Sequence, residues 1–221
     1  MNEAQARKEI CRAGKSLFDR GYVHATAGNI SYRLGNGSVL ITPTDACLGF
    51  LDPGRLALVD ASGVHVGGDR PSKTLALHAR IVEEAIRHDP STRCVLHTHS
   101  THCVALSLSE PGSELLAPVT PYFVMKVGHV PHVPYHRPGS VEAVDEVGRL
   151  VRRYGDAGTP IRAVMLNRLG PLAWHESPAA AMAVLEELEE TARLALLASP
   201  ALQPLDDASI EELRATFDAR W

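Results

Sequence analysis

Cys94-Val95-Leu96-His97-Thr98-His99-Ser100 is the stretch on which the reading of this chain turns. The apolar run predicts a buried strand, and side chains two apart in a strand share a face, so the imidazoles of His97 and His99 reach one point. Two converging neutral imidazoles are half of a divalent metal site. Two half-buried histidines satisfied by hydrogen bonds fit the same pattern. The segment alone leaves both readings open.

Upstream, Ile10, Ala13, Leu17 and Phe18 recur at helical spacing over residues 4–20, and Gly21 ends the pattern. Residues 28–33 alternate as a strand, Gly35-Asn36-Gly37 marks a hairpin turn, and residues 39–42 return. Further strands are expected at residues 56–60 and 64–66, and a helix with a buried stripe over residues 74–88. Glu83 and Glu84 on that helix are expected in solvent.

Downstream of the histidines, residues 101–108 begin a helix. The Pro-rich stretches 118–123 and 129–135 suit edges and loops. A helix over 141–154, a buried strand at 163–166, a long helix over 177–198 and a helical tail from 209 complete the pattern. Glu186, Glu187, Glu189 and Glu190 are expected on the solvated side of the long helix. Strands alternating with helices, without a linker or repeat, predict one α/β domain spanning residues 1–221.

Composition narrows the partners. The 221 residues carry a net charge of −4 and 45% hydrophobic residues. No basic block appears, so neither nucleic acid nor an anionic membrane is expected, and a small molecule is. The polar N-terminus and the lack of any membrane-length run predict a cytoplasmic protein. Cys11, Cys47, Cys94 and Cys103 lack metal or disulfide spacing and are expected as free thiols.

Three polar turns carry the remaining chemistry. Thr26-Ala27-Gly28-Asn29 joins helix to strand, with a glycine that permits close approach and two hydrogen-bonding side chains. Ile41-Thr42-Pro43-Thr44-Asp45 has the same character. Pro71-Ser72-Lys73 stands at a helix N-terminus, where the dipole and the lysine favour an anion.

In order, Ala27-Gly28-Asn29-Ile30-Ser31, Ile41-Thr42-Pro43-Thr44, Pro71-Ser72-Lys73 and His97-Thr98-His99-Ser100 resemble the class II aldolase/adducin family. Within it, segments such as His99-Ser100-Thr101-His102 and Thr120-Pro121-Tyr122-Phe123-Val124-Met125 look most like 3-oxo-tetronate 4-phosphate decarboxylases. The resemblance implies an α/β/α fold on a mainly antiparallel sheet and a homotetramer with active sites between subunits. It also implies a divalent metal, usually zinc, held by His97 and His99. Thr26, Gly28, Asn29, Thr44, Ser72 and Lys73 match positions that bind the phosphate or other anionic groups of a substrate. Tyr122 matches a tyrosine that handles a proton in a neighbouring subunit's site.

Three positions depart from the family; one is Asp45, a negative charge where glycine or a neutral residue is usual, which argues against a fully charged phosphate beside it. Thr74 stands where an acidic acid/base residue is usual, and Asn167-Arg168-Leu169-Gly170-Pro171 replaces a segment that carries a third histidine. Arg168 either takes over part of the vacated electrostatic role or lies on the surface. His102, His129, His132, His136 and His175 are the other candidate donors. The function expected is a divergent carbon–carbon lyase, a decarboxylase or aldolase, acting on a small oxygenated acid or sugar-acid phosphate through a metal-stabilised enediolate. A noncatalytic anion-binding oligomer and a metal-free enzyme using Arg168 and Lys73 are the alternatives.

Overall fold

The computed structural model describes residues 1–109, 112–198 and 202–221. The first helix, α1 (Glu3–Asp19), begins at Asn2, whose Oδ1 accepts from the Gln5 amide, and it buries Ala6, Ile10, Ala13 and Leu17. The strands are β1 (Asn29–Arg33), β2 (Val39–Ile41), β3 (Ala57–Val59), β4 (His65–Gly67), β5 (Cys94–His97), β6 (His132–Val133), β7 (Ala163–Leu166) and β8 (Gly170–His175). They form one sheet in the order β4-β3-β2-β1-β5-β8-β7-β6. All neighbours are antiparallel except β6 and β7.

Strand alternation sends side chains into two cores. Cys94, Leu96, Met165 and Ala173 meet α1, α3 (Thr101–Ser107) and α5 (Pro178–Ala198) on one face. Val95, Val164, Leu166, Leu172 and Trp174 meet α2 (Leu75–Ala85) and α4 (Val141–Asp156) on the other. The result is the expected single α/β/α domain with a mainly antiparallel sheet. A π-helical turn, Phe123–Val127, and the last helix, α6 (Asp207–Phe217), close one end. There Trp221 stacks on His129, with ring centroids 4.2 Å apart, and meets Phe123 edge-on.

Residues 170–175 carry no strand expectation, and they form β8. It starts with Gly170 and Pro171, yet it lies inside the sheet between β5 and β7. Pro171 is tolerated in the first residues of the strand, and its carbonyl accepts from the Thr98 amide at 3.2 Å. The Pro-rich stretch before residue 135 holds β6, a two-residue edge strand, in keeping with the expectation of edges.

Two glutamates expected in solvent are buried. Glu84 is 1% exposed and accepts from Arg152 Nε at 3.0 Å, while Arg80 Nη1 lies 3.0 Å from its other oxygen. Arg152 belongs to α4, so this carboxylate ties α2 to α4 across the second core. Glu189 of α5, 8% exposed, accepts from the amides of His102 at 2.8 Å and Cys103 at 3.0 Å. It caps α3, because the hydroxyl of the N-cap Ser100 is paired with Thr98 Oγ1 at 2.6 Å.

Replacing Glu84 by Gln keeps the shape and removes the charge that three arginines share. The arginines keep access to solvent, so the expected loss is about 1–3 kcal/mol, the scale of a lost charged hydrogen bond. Urea denaturation of E84Q against wild type measures it.

Candidate active site

One cavity of about 290 Å³ opens where the ends of β1, β5, β7 and β8 meet the N-termini of α2 and α4. It gathers Thr26, Gly28, Asn29, Thr44, Ser72, Lys73, Thr74, His97 and His99, which are far apart in the chain. Gly28 explains how the first loop reaches the histidines. Its φ is +85°, and a Cβ there would lie 2.8 Å from the His97 carbonyl oxygen, so a side chain is excluded on both counts.

His97 is fixed by its backbone neighbour. Its Nδ1 lies 3.0 Å from the Pro171 carbonyl oxygen, which only accepts, so Nδ1 carries the proton and Nε2 presents a lone pair. Burial, with His99 adding to it, pulls the His97 ring down to about 4. His99 is lowered by burial and by His24. The rings of His97 and His99 are 5.1 Å apart between centroids, and His24 stands 6.2 Å from His99 on the exposed side. Sequence reasoning overlooked His24, because no repeat or spacing links it to the pair. Behind His97, His78 is buried, with Nδ1 2.8 Å from Ser31 Oγ, and burial followed by His97 lowers it to about 3. Both imidazoles of the pair are therefore neutral near pH 7.

The helix α2 begins without a side-chain cap from its own N-cap residue. The hydroxyl of Thr74 instead donates to Asn29 Oδ1 at 2.9 Å and lies 3.0 Å from Ser72 Oγ. The Leu75 amide bonds the Ser72 carbonyl at 3.1 Å, so the helix starts at the cavity wall beside Ser72 and Lys73, where its dipole and the lysine suit a phosphate. Arg137, His136 and Ser140 line the opposite side. Ser140 Oγ already accepts from the Ala143 amide, so α4 is capped. Asp45, with φ +58°, puts a carboxylate at the cavity wall near Thr44.

Other predicted residues lie elsewhere. Arg168 is exposed and absent from the cavity lining; its φ is +64° and its amide donates to Ser107 Oγ at 3.1 Å. The left-handed turn puts Leu169 in the lining instead. Tyr122 is 61% exposed, outside this cavity and beside a separate cleft with Lys126, Arg162 and Arg220. Among the candidate donors, His102 Nδ1 bonds Glu189 and His129 Nδ1 bonds Glu114, and of the five only His136 lines the cavity. Burial raises the thiols of Cys94 and Cys103, so neither is poised as a thiolate ligand.

The residues present do not complete a divalent metal centre. A catalytic site takes three protein donors and an open position. Here two imidazoles converge, and no group of three or more His, Cys, Asp or Glu suited to a metal occurs among the described residues. The zinc expected from the resemblance lacks its remaining protein ligands.

Residues 8–196 match the family described as "Class II Aldolase and Adducin N-terminal domain". The chain is 47% identical over 227 residues to a 3-oxo-tetronate 4-phosphate decarboxylase of Cupriavidus necator, covering 99% of each chain. It is 39% identical to the protein of that name from Escherichia coli K12, covering 96% of this chain and 97% of that one. Among solved structures, YgbL of Escherichia coli superposes with a TM-score of 0.86 at 39% identity, covering 96% of this chain and 99% of that one. The l-fuculose-1-phosphate aldolase of Thermus thermophilus gives a TM-score of 0.66 at 27% identity, covering 88% of this chain and 94% of that one.

His78 and His97 set a pH dependence of folding. Unfolded, each ring titrates near 6.5; folded, near 3 and 4. The unfolded chain therefore binds more protons between these values, so stability is complete above about pH 6.5 and falls as pH drops towards 4. Denaturation across that window should show about two protons taken up on unfolding, and about one in His78→Leu.

Proposed function

Because the chain belongs to the class II aldolase and adducin family, we propose that it is a carbon–carbon lyase that decarboxylates a phosphorylated 3-oxo sugar acid. The observation that carries this is the single cavity in which the loops of residues 26–29, 44 and 72–74 face His97 and His99. The decarboxylase relatives align over nearly the whole chain, which supports the same substrate class.

The phosphate sits at the Ser72 hydroxyl and the start of α2, with Thr44 and the Thr26–Asn29 loop. Asn29 is held for this by the Thr74 hydroxyl, so Thr74 positions a binding group where an acid/base residue was expected. Lys73 supplies the positive charge that both the phosphate and a developing enolate require. Loss of carbon dioxide from a 3-oxo acid needs no base to take a hydroxyl proton. It needs the enolate stabilised and one proton returned to carbon, and a cavity without a carboxylate in the place of Thr74 suits it better than it suits aldol cleavage.

The reading extends to a cytoplasmic homotetramer. No helix among the described residues is long and apolar enough to cross a membrane. Tyr122 stands largely exposed outside its own cavity, where it is available to hand a proton to the site of a second copy. Zinc, with two imidazoles in its support, enters no step here.

Incubation of the purified chain with a synthetic 3-oxo-tetronate 4-phosphate should release carbon dioxide and a hydroxymethyl ketone phosphate. Lys73→Met should lower kcat/KM by about a hundredfold, the scale of one lost charged contact to a transition state. Asn29→Ala should act mainly on KM. Carbon dioxide release that is absent, or unaffected in K73M, refutes the proposal.

A further inference from the structure

Beside the two histidines the cavity wall is aliphatic. Leu77 of α2, Val133 of β6, Leu166 of β7, Leu172 of β8 and Leu169 of the turn between β7 and β8 line it. The backbone holds Leu169 there. Gly170 has a φ of +141°, and a Cβ on it would lie 2.0 Å from the Thr98 carbonyl oxygen, so the turn is pressed against the end of β5. On its other side the Arg168 amide is tied to Ser107. Between these two anchors Leu169 takes the inward place and Arg168 the outward one.

The polar alternative is already engaged. Thr74 Oγ1 is bonded to Asn29 and Ser72, and a neutral hydroxyl is a poor third donor for a divalent ion. Two imidazoles, an occupied hydroxyl and a leucine wall are not the ligand set of a resident metal. They are, however, a workable surface for expelling a carboxylate. The anion is strongly hydrated and carbon dioxide is not, so seating the carboxylate on apolar side chains raises the reactant more than the transition state.

We propose that this centre decarboxylates without a resident divalent metal, the carboxylate seated against Leu166, Leu169 and Leu172 and the Lys73 ammonium meeting the enolate charge. This rests on the lyase reading above and assigns its chemistry. The C1–C2 bond breaks, its electron pair becomes the C2–C3 double bond, and the ketone oxygen on C3 takes the negative charge. Carbon dioxide leaves. One proton, handed on by Tyr122 of a second copy, then adds at C2 and the C3 carbonyl re-forms, so carboxylate plus proton yields ketone plus carbon dioxide, with no oxidant or co-reactant. Specificity follows as well: a substrate whose carboxylate end bears bulky polar groups fits the aliphatic wall poorly.

The test uses the full-length chain purified without chelators from medium containing zinc and manganese. Metal content is measured by plasma mass spectrometry, and carbon dioxide release is followed before and after dialysis against EDTA, then with added Zn2+, Mn2+ or Mg2+. Metal well below one ion per chain and turnover unchanged by EDTA are expected. Leu169→Asn should lower kcat by about tenfold and lower KM with it, since hydrating the wall stabilises the bound carboxylate more than the transition state. Stoichiometric metal in the wild-type protein, or turnover lost to EDTA and restored by one of the ions, overturns the metal-free proposal and leaves the lyase reading standing. An unchanged kcat in L169N overturns the role of the wall. No carbon dioxide release under any of these conditions brings down the lyase reading itself.

Discussion

The register of β5 between β1 and β8 is the constraint on which the rest of the site depends. Asn29 lies opposite His97 on one side and Leu172 on the other. Both flanking chains meet the end of β5 through a glycine. Gly28 presses on the His97 carbonyl and Gly170 on the Thr98 carbonyl, each with a positive φ. The Pro171 carbonyl then fixes the tautomer of His97. A slip of one residue in either pairing would turn His97 to the opposite core and take Asn29 or Leu172 out of the cavity.

Around that fixed centre the two sides of the cavity differ in character. The side built by the loops of β1 and β2 and by the start of α2 is polar and holds an uncapped helix end beside Lys73. The side built by β7, β8 and α4 is aliphatic, apart from the loop of His136 and Arg137. A small molecule with a phosphate at one end and a reacting carbon beyond it matches this division. The polar half has the makings of binding, and the aliphatic half is where the proposed decarboxylation seats the carboxylate.

Much of the fold was legible because hydrophobic periodicity is a local property. The helices, the hairpin of β1 and β2 and the histidine strand each announce themselves within a few residues. The set of polar turns was legible too, as a set, because those residues resemble a family in order. What escaped depends on partners distant in the chain. Glu84 reads as a surface residue until Arg152 of α4 is packed against it, and Glu189 until the bare amides of α3 are. Arg168 has a left-handed φ and Leu169 lines the cavity, and composition carries no sign of which one turns inward. Strand β8 was hidden by its Gly-Pro start, the same two residues that allow it to lie so close to β5. His24 escaped because its relation to His99 exists only in space.

The order of strands in the sheet has a consequence for how the molecule is made. β5 is the third strand from either end of the inner group β2-β1-β5-β8-β7, yet its two partners come from opposite ends of the sequence. The hairpins of β1 with β2 and of β7 with β8 are local and can close early, whereas β5 joins them by pairings that span about a third of the chain each. On a ribosome, the cavity therefore stays open until β8 has emerged, and the nascent N-terminal half exposes the free edge of β5 with its apolar run. The pairing that completes the sheet is the one that creates the site, so a chain that has acquired the pocket has, by that fact, completed its sheet.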